Sequence, residues 1–371
     1  MSARSTRSIG LLTAAALLLV PSRAAATPVD TNFTETQFAV VDGGEVTGIA
    51  WAPDGSNRLF VTRKGGEVRI VKDGALLTTP FATETVFTNS ECGLIGLAFD
   101  PGFVTNKYVY FFATVSGTEQ QIIRYTAMGD TGVNRTVIVP GLPTIGQNHD
   151  GGAVGFGPDG MLYWAIGDLG NFTGVDADLT SLASKIGRAR PNGDVPADNP
   201  FVDGAGPNND YIWARGFRNP FTFTWRPETE DLWVNTVGTS FEQVFVVGSG
   251  DHAGWNDFES NQPPGFIRPV ISYRTNSSLD NTIAPMGASR SAGVATFTTT
   301  DSDHRNPVGT KVTIAGVGDA SFNGTGFVTA VPMPNVFEIA QEGPDAASGG
   351  GSATSLNIGG AITGGTFFES T

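Results

Sequence analysis

The sequence predicts an all-β chain built as a β-propeller, and three observations carry that prediction. Short apolar or alternating runs bounded by Gly, Pro, Asn and Asp dominate, and helical periodicity is scarce. A weak internal repeat puts Pro at positions 53, 101, 158 and 227, spaced 48, 57 and 69 residues apart. That spacing is close to or above the roughly 40 to 50 residues of a propeller blade. Glycine makes up 49 of 371 residues, near twice average usage and without a three-residue period, which suits many tight turns and excludes collagen.

The chain opens with Arg4 and Arg7, an apolar run from Ile9 to Val20, and the small residues Ala24, Ala25 and Ala26. This predicts a secretory signal peptide over residues 1–26 and a secreted or periplasmic protein, because the run is too short to span a bilayer. An uncleaved amphipathic anchor is the alternative. No later run of eighteen apolar residues exists, so the rest is not expected to be an integral membrane protein. The formal charge of −14 becomes −17 once Arg4, Arg7 and Arg23 are removed. No basic field is left to displace phosphate counterions, which argues against nucleic acid as a partner. Cys92 is the single cysteine, so no intrachain disulfide forms, and stability must come from packing and bound ions.

The propeller is expected over residues 31–284. Trp51-Ala-Pro-Asp-Gly, Phe99-Asp-Pro-Gly-Phe, Phe156-Gly-Pro-Asp-Gly and Trp225-Arg-Pro-Glu-Thr each precede a strand-like run. Pro pre-sets its own φ and Asp-Gly tolerates positive φ, so each places a reversal just before a strand; unrelated hairpins are the alternative. Strands are expected at Arg58 to Arg63, Tyr108 to Val115, Met161 to Ile166 and Leu232 to Thr236. From residue 288 to 353 the composition turns to Thr, Ser, Val and Gly, with strands expected at Val294 to Thr300, Lys311 to Ile314, Gly326 to Ala330 and Val336 to Ala340. This stretch resembles a small β module of phage and bacterial surface proteins. Ser348-Gly-Gly-Gly-Ser352 reads as a flexible connector. Residues 357–371 read as the start of a further blade.

Of three histidines, His149 stands in the polar, Gly-rich turn Gly146-Gln-Asn-His-Asp-Gly-Gly152, and Asp168 closes the next strand. Out and back along one strand brings an acid beside an imidazole, as a general base needs. A turn histidine bonded to local backbone and a solvated aspartate are the alternatives. Arg215-Gly-Phe-Arg218-Asn219-Pro220 presents planar donors suited to carboxylates, or arginines that tie blade to blade.

Cys92-Gly-Leu-Ile-Gly-Leu-Ala-Phe-Asp-Pro-Gly-Phe103, Asn148-His-Asp-Gly-Gly, Gly157-Pro-Asp-Gly, Ile166-Gly-Asp168, Pro196-Ala-Asp-Asn-Pro-Phe201, Gly216-Phe-Arg-Asn-Pro220 and Gly254-Trp255 occur in one order. In that order the chain resembles the soluble glucose and sorbosone dehydrogenases, six-bladed propellers dependent on pyrroloquinoline quinone (PQQ), from about Val46 to Pro269. The resemblance implies oxidation of aldose sugars to lactones, with electrons passed to an acceptor such as a quinone or cytochrome. His149 matches the catalytic base and Asp168 its acid partner. Arg218 and Asn219 match residues that hold the quinone, and Glu91 falls where the family often has Gln or Glu at the floor of the site. Gly238 and Thr239 fall where backbone carbonyls hold Ca2+.

Departures from the pattern are Phe221 after Arg-Asn-Pro, Gln243 with Phe245, His252 in place of an Asn and the divergent segment around Arg188 and Arg190. His252 reads as a turn residue, and His304 as a turn residue of the added module. The family's late basic residues belong after Phe368, so the expectation is an incomplete propeller carrying an inserted module. A non-catalytic extracellular propeller that binds carbohydrate or protein stays open as the alternative, and a calcium-dependent lactone hydrolase as a third.

Overall fold

A computed structural model describes residues 36–170, 173–259, 262–275, 278–355 and 360–367. The signal segment 1–26 lies outside the described residues. Residues 36–40 carry no strand and belong to a unit ending at Val40, whereas among the described residues every strand lies in a second unit that begins at Val41.

Four antiparallel sheets succeed one another along the chain. Blade one comprises β1 (Val46–Trp51), β2 (Arg58–Arg63), β3 (Glu67–Lys72) and β4 (Ala75–Leu76), with β5 (Ala82–Thr83) also on β3. Blade two is β6 (Leu94–Phe99), β7 (Tyr108–Ser116), β8 (Glu119–Met128) and β9 (Thr131–Leu142), with a one-turn helix at Phe103–Asn106. Blade three is β10 (Val154–Phe156), β11 (Leu162–Ile166), β12 (Lys185–Ala189) and β13 (Ile212–Arg215). Blade four is β14 (Asn219–Trp225), β15 (Leu232–Val237), β16 (Phe241–Val247) and β17 (Ile271–Arg274). Each Pro-centred repeat is the turn between the first and second strands of one blade, so the four repeats mark four blades.

The strand sequences explain how the blades stack. Side chains alternate across a strand, and a blade between two neighbours buries both faces. Along β7, Tyr110 and Phe112 enter the core shared with blade three, while Val109 and Phe111 enter the core shared with blade one. Along β11, Leu162, Trp164 and Ile166 face blade two, and Tyr163 and Ala165 face blade four. Near-continuous apolar runs are therefore required, and each large side chain so buried contributes on the order of 1.5–3 kcal/mol.

The first strands β1, β6, β10 and β14 lie next to one another. Together they line one channel through Thr47, Ile95, Gly152, Val154, Phe221 and Phe223. The loops leading into these inner strands consequently share one end of the channel.

The module is one seven-stranded antiparallel sheet: β18 (Leu279–Ser291), β19 (Val294–Thr299), β20 (Lys311–Ala315), β21 (Gly324–Met333), β22 (Val336–Ala340), β23 (Ala346–Ser348) and β24 (Ser352–Ser355). Its own core holds Ile283, Phe297, Val312, Phe322 and Phe337. The sheet begins nine residues before position 288, because β18 pairs along its first half with β24 and along its second with β19 and β23. Ser348 to Ser352 is a bend inside this sheet and not a flexible connector. β23 and β24 both run antiparallel to β18, so the chain keeps its direction across Gly350 and Gly351, at φ +73° and +80°. The bend is held to β18 by the Gly350 N–H on the Ala284 carbonyl at 2.9 Å and the Ile283 N–H on the Gly351 carbonyl at 3.0 Å. Residues 360–367 carry no strand; Ile362 N–H donates to Glu242 Oε2 at 2.7 Å and Phe367 packs on Trp233. The remainder of 357–371 lies outside the described residues.

Candidate active site

Three loops entering inner strands converge on one carboxylate. Glu91 precedes β6, His149 precedes β10, and Asn219 opens β14. Glu91 Oε2 accepts the His149 backbone N–H at 2.8 Å and the Asn219 side-chain amide at 3.1 Å. Asn219 Oδ1 in turn accepts the Gly151 N–H at 3.3 Å. Blades two, three and four are thus joined through side chains that the sequence places more than fifty residues apart.

Asp168, fully buried, follows β11 with only Gly167 between them. Its Oδ1 lies 2.5 Å from His149 Nδ1 and accepts the Gly170 N–H at 2.8 Å. Its Oδ2 accepts the Trp255 indole N–H at 2.7 Å. A buried carboxylate requires such donors, and an acceptor opposite Nδ1 puts the imidazole proton on Nδ1. Nε2 is then the basic nitrogen. His149 itself has a left-handed backbone, φ +62°, the type of local strain that persists where surrounding bonds over-determine it. Gly167 lets the parts meet: a Cβ there would lie 2.4 Å from the His149 carbonyl oxygen, 2.8 Å from that of Arg218 and 2.9 Å from Asn219 Oδ1.

Beneath the histidine, buried Asp150 accepts from Thr144 Oγ1 at 2.6 Å and from Cys92 Sγ at 2.9 Å. Burial raises the Asp150 carboxyl above the usual range, with the Glu91 charge adding to it. Burial, then the bond to Asp150, pushes the Cys92 thiol up to about 12, so the thiol serves as a donor and not as a nucleophile.

Arg218 is half-buried; its Nη1 donates to the Val237 carbonyl at 3.1 Å and its guanidinium stands 5.7 Å from the centre of the Trp255 ring. Among the described residues its buried Nε has no acceptor. A half-buried guanidinium with a spare donor is the kind of group that fits an anionic quinone. The channel mouth at Glu91 is lined further by Lys64, Ser90, Ile95 and Phe221.

Gly238 and Thr239 lie in the turn between β15 and β16, and a Cβ on Gly238 would stand 1.8 Å from the Phe241 carbonyl oxygen. The Gly238 N–H donates to Glu242 at 3.3 Å, the Thr239 N–H to Glu259, and the Ser240 N–H to Glu259 at 2.9 Å. The Thr239 carbonyl accepts the Thr275 hydroxyl at 2.9 Å. Burial raises the Glu242 carboxyl. Two acids and two carbonyls at one turn are the oxygen types calcium takes, although here the acids accept amides.

His252 makes a turn bond, its Nδ1 accepting the Gly254 N–H at 2.9 Å. His304 does likewise in the module, accepting from Asn306 at 3.0 Å. Arg188 is held by Asp159 and Asp198. The sequence reading assigned no role to Trp255, Asp150, Glu242 or Glu259. Asp150 adjoins His149, but nothing local to Trp255 signals that its indole reaches an acid 87 residues earlier.

A family model described as Glucose / Sorbosone dehydrogenase matches residues 45–307. The chain belongs to the glucose/sorbosone dehydrogenase family. An aldose sugar dehydrogenase of Escherichia coli K12 is 28% identical over 218 residues, 56% of this chain and 57% of that protein. Quinoprotein glucose dehydrogenase B of Acinetobacter calcoaceticus is 25% identical over 280 residues, 66% of this chain and 57% of that protein. Hedgehog-interacting protein of Mus musculus is 29% identical over 178 residues, 38% of this chain and 25% of that protein. The chain thus spans 57% of the length of both curated dehydrogenases. In fold it matches the PQQ-bound aldose sugar dehydrogenase of Streptomyces coelicolor with a TM-score of 0.58, at 21% identity, over 85% of this chain and 95% of that one. Among the described residues of this family member no helix is long and apolar enough to cross a membrane.

Proposed function

We propose that this chain is an exported, PQQ-dependent dehydrogenase that oxidises aldose sugars to lactones. The observation that carries the reading is the buried His149–Asp168 pair, with Nε2 of His149 left basic at the end of the channel. Family membership and the quinoprotein relatives support the cofactor class. When bound, the quinone supplies the two-electron acceptor for the hydride of the sugar's anomeric carbon. Arg218 and Asn219 hold its anionic groups, and Glu91 fixes Asn219 and the His149 backbone beside them. His149 Nε2 takes the proton of the anomeric hydroxyl, while Asp168 keeps the ring oriented and stabilises its protonated form. The Gly238–Thr239 turn is the proposed seat of Ca2+, with Glu242 and Glu259 as further oxygen donors.

The test is dye-linked oxidation of a panel of aldoses by PQQ-loaded protein. His149→Ala should lower turnover by on the order of 10²–10⁴ while leaving quinone binding intact. Unchanged turnover overturns the reading. A second reading, a propeller that binds an extracellular partner without catalysis, draws on the match to hedgehog-interacting protein and on the added module. Glycan or protein binding that survives His149→Ala and needs no quinone would favour it.

A further inference from the structure

We propose that His252 and Asp176 form a positioning pair that sets the orientation of Asp168 toward His149. The inference rests on the reading of His149 as the base. After Asp168 the chain makes an excursion before returning at β12, and its described part is clasped from several sides. Lys185, fully buried, donates its ammonium to the Val175 and Ala183 carbonyls at 2.7 and 2.9 Å. Arg215 Nη1 donates to the Asp176 carbonyl at 3.3 Å, and the Gly174 N–H donates to Asn256 Oδ1 at 3.2 Å. Among the described residues the one basic side chain within ion-pair distance of the Asp176 carboxylate is His252, Nε2 to Oδ2 at 3.0 Å.

His252 belongs to the turn that carries Trp255. Its Nδ1 accepts the Gly254 N–H, so the proton of the neutral ring must sit on Nε2, where it donates to Asp176. The same turn is pinned to the end of β13 by the Ala253 N–H on the Arg215 carbonyl at 2.9 Å and by the Trp255 N–H on the Gly216 carbonyl at 3.0 Å. The Trp255 indole then donates to Asp168 Oδ2, and Asp168 Oδ1 meets His149. One line of hydrogen bonds therefore runs from Asp176 through His252 and the Gly254–Trp255 turn to Asp168 and His149. Both ends of the excursion are held to one frame, and the carboxylate that orients the base is fixed on its far side by the turn His252 braces.

The charged groups facing His252 are Asp176, Arg215 and Lys185; Glu91 and Asp150 lie beside His149, and Arg218 stands over the ring of Trp255, which holds Asp168. Burial, reinforced by Arg215, holds His252 down at about 4, so the ring keeps the single tautomer the line requires at neutral pH. His252 touches neither substrate nor cofactor in this assignment and acts only through Trp255 and Asp168.

The test uses the fact that the chain has only three histidines. In ¹⁵N-labelled protein the imidazole signals of His149, His252 and His304 are resolved by comparison with His149→Ala and His252→Asn. His252→Asn keeps an acceptor for Gly254 but is too short to reach Asp176, and Asp176→Asn removes the charge at constant volume. In both variants the titration midpoint of His149 should move down by about half a pH unit or more, since a carboxylate free to rotate stabilises the imidazolium less. Trp255→Phe should give the same shift, and the double variant with His252→Asn should add little to it, as expected for one coupled line. In turnover the variants should lose kcat about tenfold with KM within about twofold, and the acid limb of the pH profile should move with the His149 titration. An unmoved His149 midpoint in both His252→Asn and Asp176→Asn overturns the proposal, even if melting temperature falls. A shifted midpoint in a protein that oxidises no sugar supports the positioning pair while removing the proposed function, so the two readings fail separately.

Discussion

At the scale of single residues, the site depends on how closely unlike parts of the chain approach. Gly167 is the sharpest case, since its missing side chain is what admits the carbonyls of His149 and Arg218. Gly167→Ala should destabilise the fold by about 1–3 kcal/mol, as overpacking does, and should also lower turnover by separating Asp168 from His149. Urea unfolding and dye reduction on the same sample measure both; a neutral variant would show that the approach is not needed. The strand between the turn and its closing acid left the meeting of His149 and Asp168 as one of the open readings, the resemblance favoured it, and the two side chains do meet at 2.5 Å. The Arg-Asn-Pro segment singled out Arg218 and Asn219 as planar donors, and their assignment to the quinone is what the family resemblance implies. Trp255 was not, because its bond to Asp168 is made by the folding of blade four against blade three and leaves no local pattern. Phe221, a departure from the family pattern after Arg-Asn-Pro, stands in the wall of the channel mouth, where an aromatic ring packs without needing a donor.

Individual strands are legible in the sequence where burial imposes a pattern. Arg58–Arg63 and Val336–Ala340 are strands with the expected bounds, and Tyr108–Ser116, Leu162–Ile166 and Leu232–Val237 differ by one residue. Ser348 to Ser352 shows why composition alone misleads. Three glycines between serines describe a flexible linker equally well as a bend within a sheet, and only the pairing of both flanks with β18 decides. At β11, Trp164→Ala should cost about 3–5 kcal/mol, because the indole is fully buried between blades two and three and the cavity cannot collapse; chemical denaturation checks this. The turn bearing His252 gives a pH prediction. The unfolded chain protonates this histidine near 6.5, whereas the folded protein does so only near 4. The unfolded state therefore binds more protons in that window, and stability is fully present above 6.5 and declines as pH falls toward 4. His304, also held down by burial, adds a slope of the same sign. Urea midpoints measured from pH 4 to 7 should fall less steeply in His252→Asn than in the parent; parallel slopes would contradict the assignment of a neutral, buried His252.

For the whole molecule, four Pro-centred repeats were enough to count four blades, because each repeat performs the same task at the same place, the reversal from inner to second strand. The module was legible as a change of composition, but its starting point was not, since β18 at Leu279 still reads as propeller and is claimed by the next sheet through pairing alone. The convergence of Glu91, His149 and Asn219 could not be read from any one segment; it results from placing three inner strands around one channel. In the proposed mechanism this arrangement brings a sugar hydroxyl to His149 Nε2 next to a quinone held by Arg218 and Asn219. The most direct test is a single-turnover experiment: protein loaded with PQQ and Ca2+ is mixed with an aldose, and the quinone's own absorbance is followed without any dye. The expected result is sugar-dependent reduction in the parent, and in His149→Ala a bound quinone that is reduced slower by on the order of 10²–10⁴. Reduction at the parent rate in His149→Ala, or a quinone that binds and is never reduced by any aldose, would contradict that mechanism.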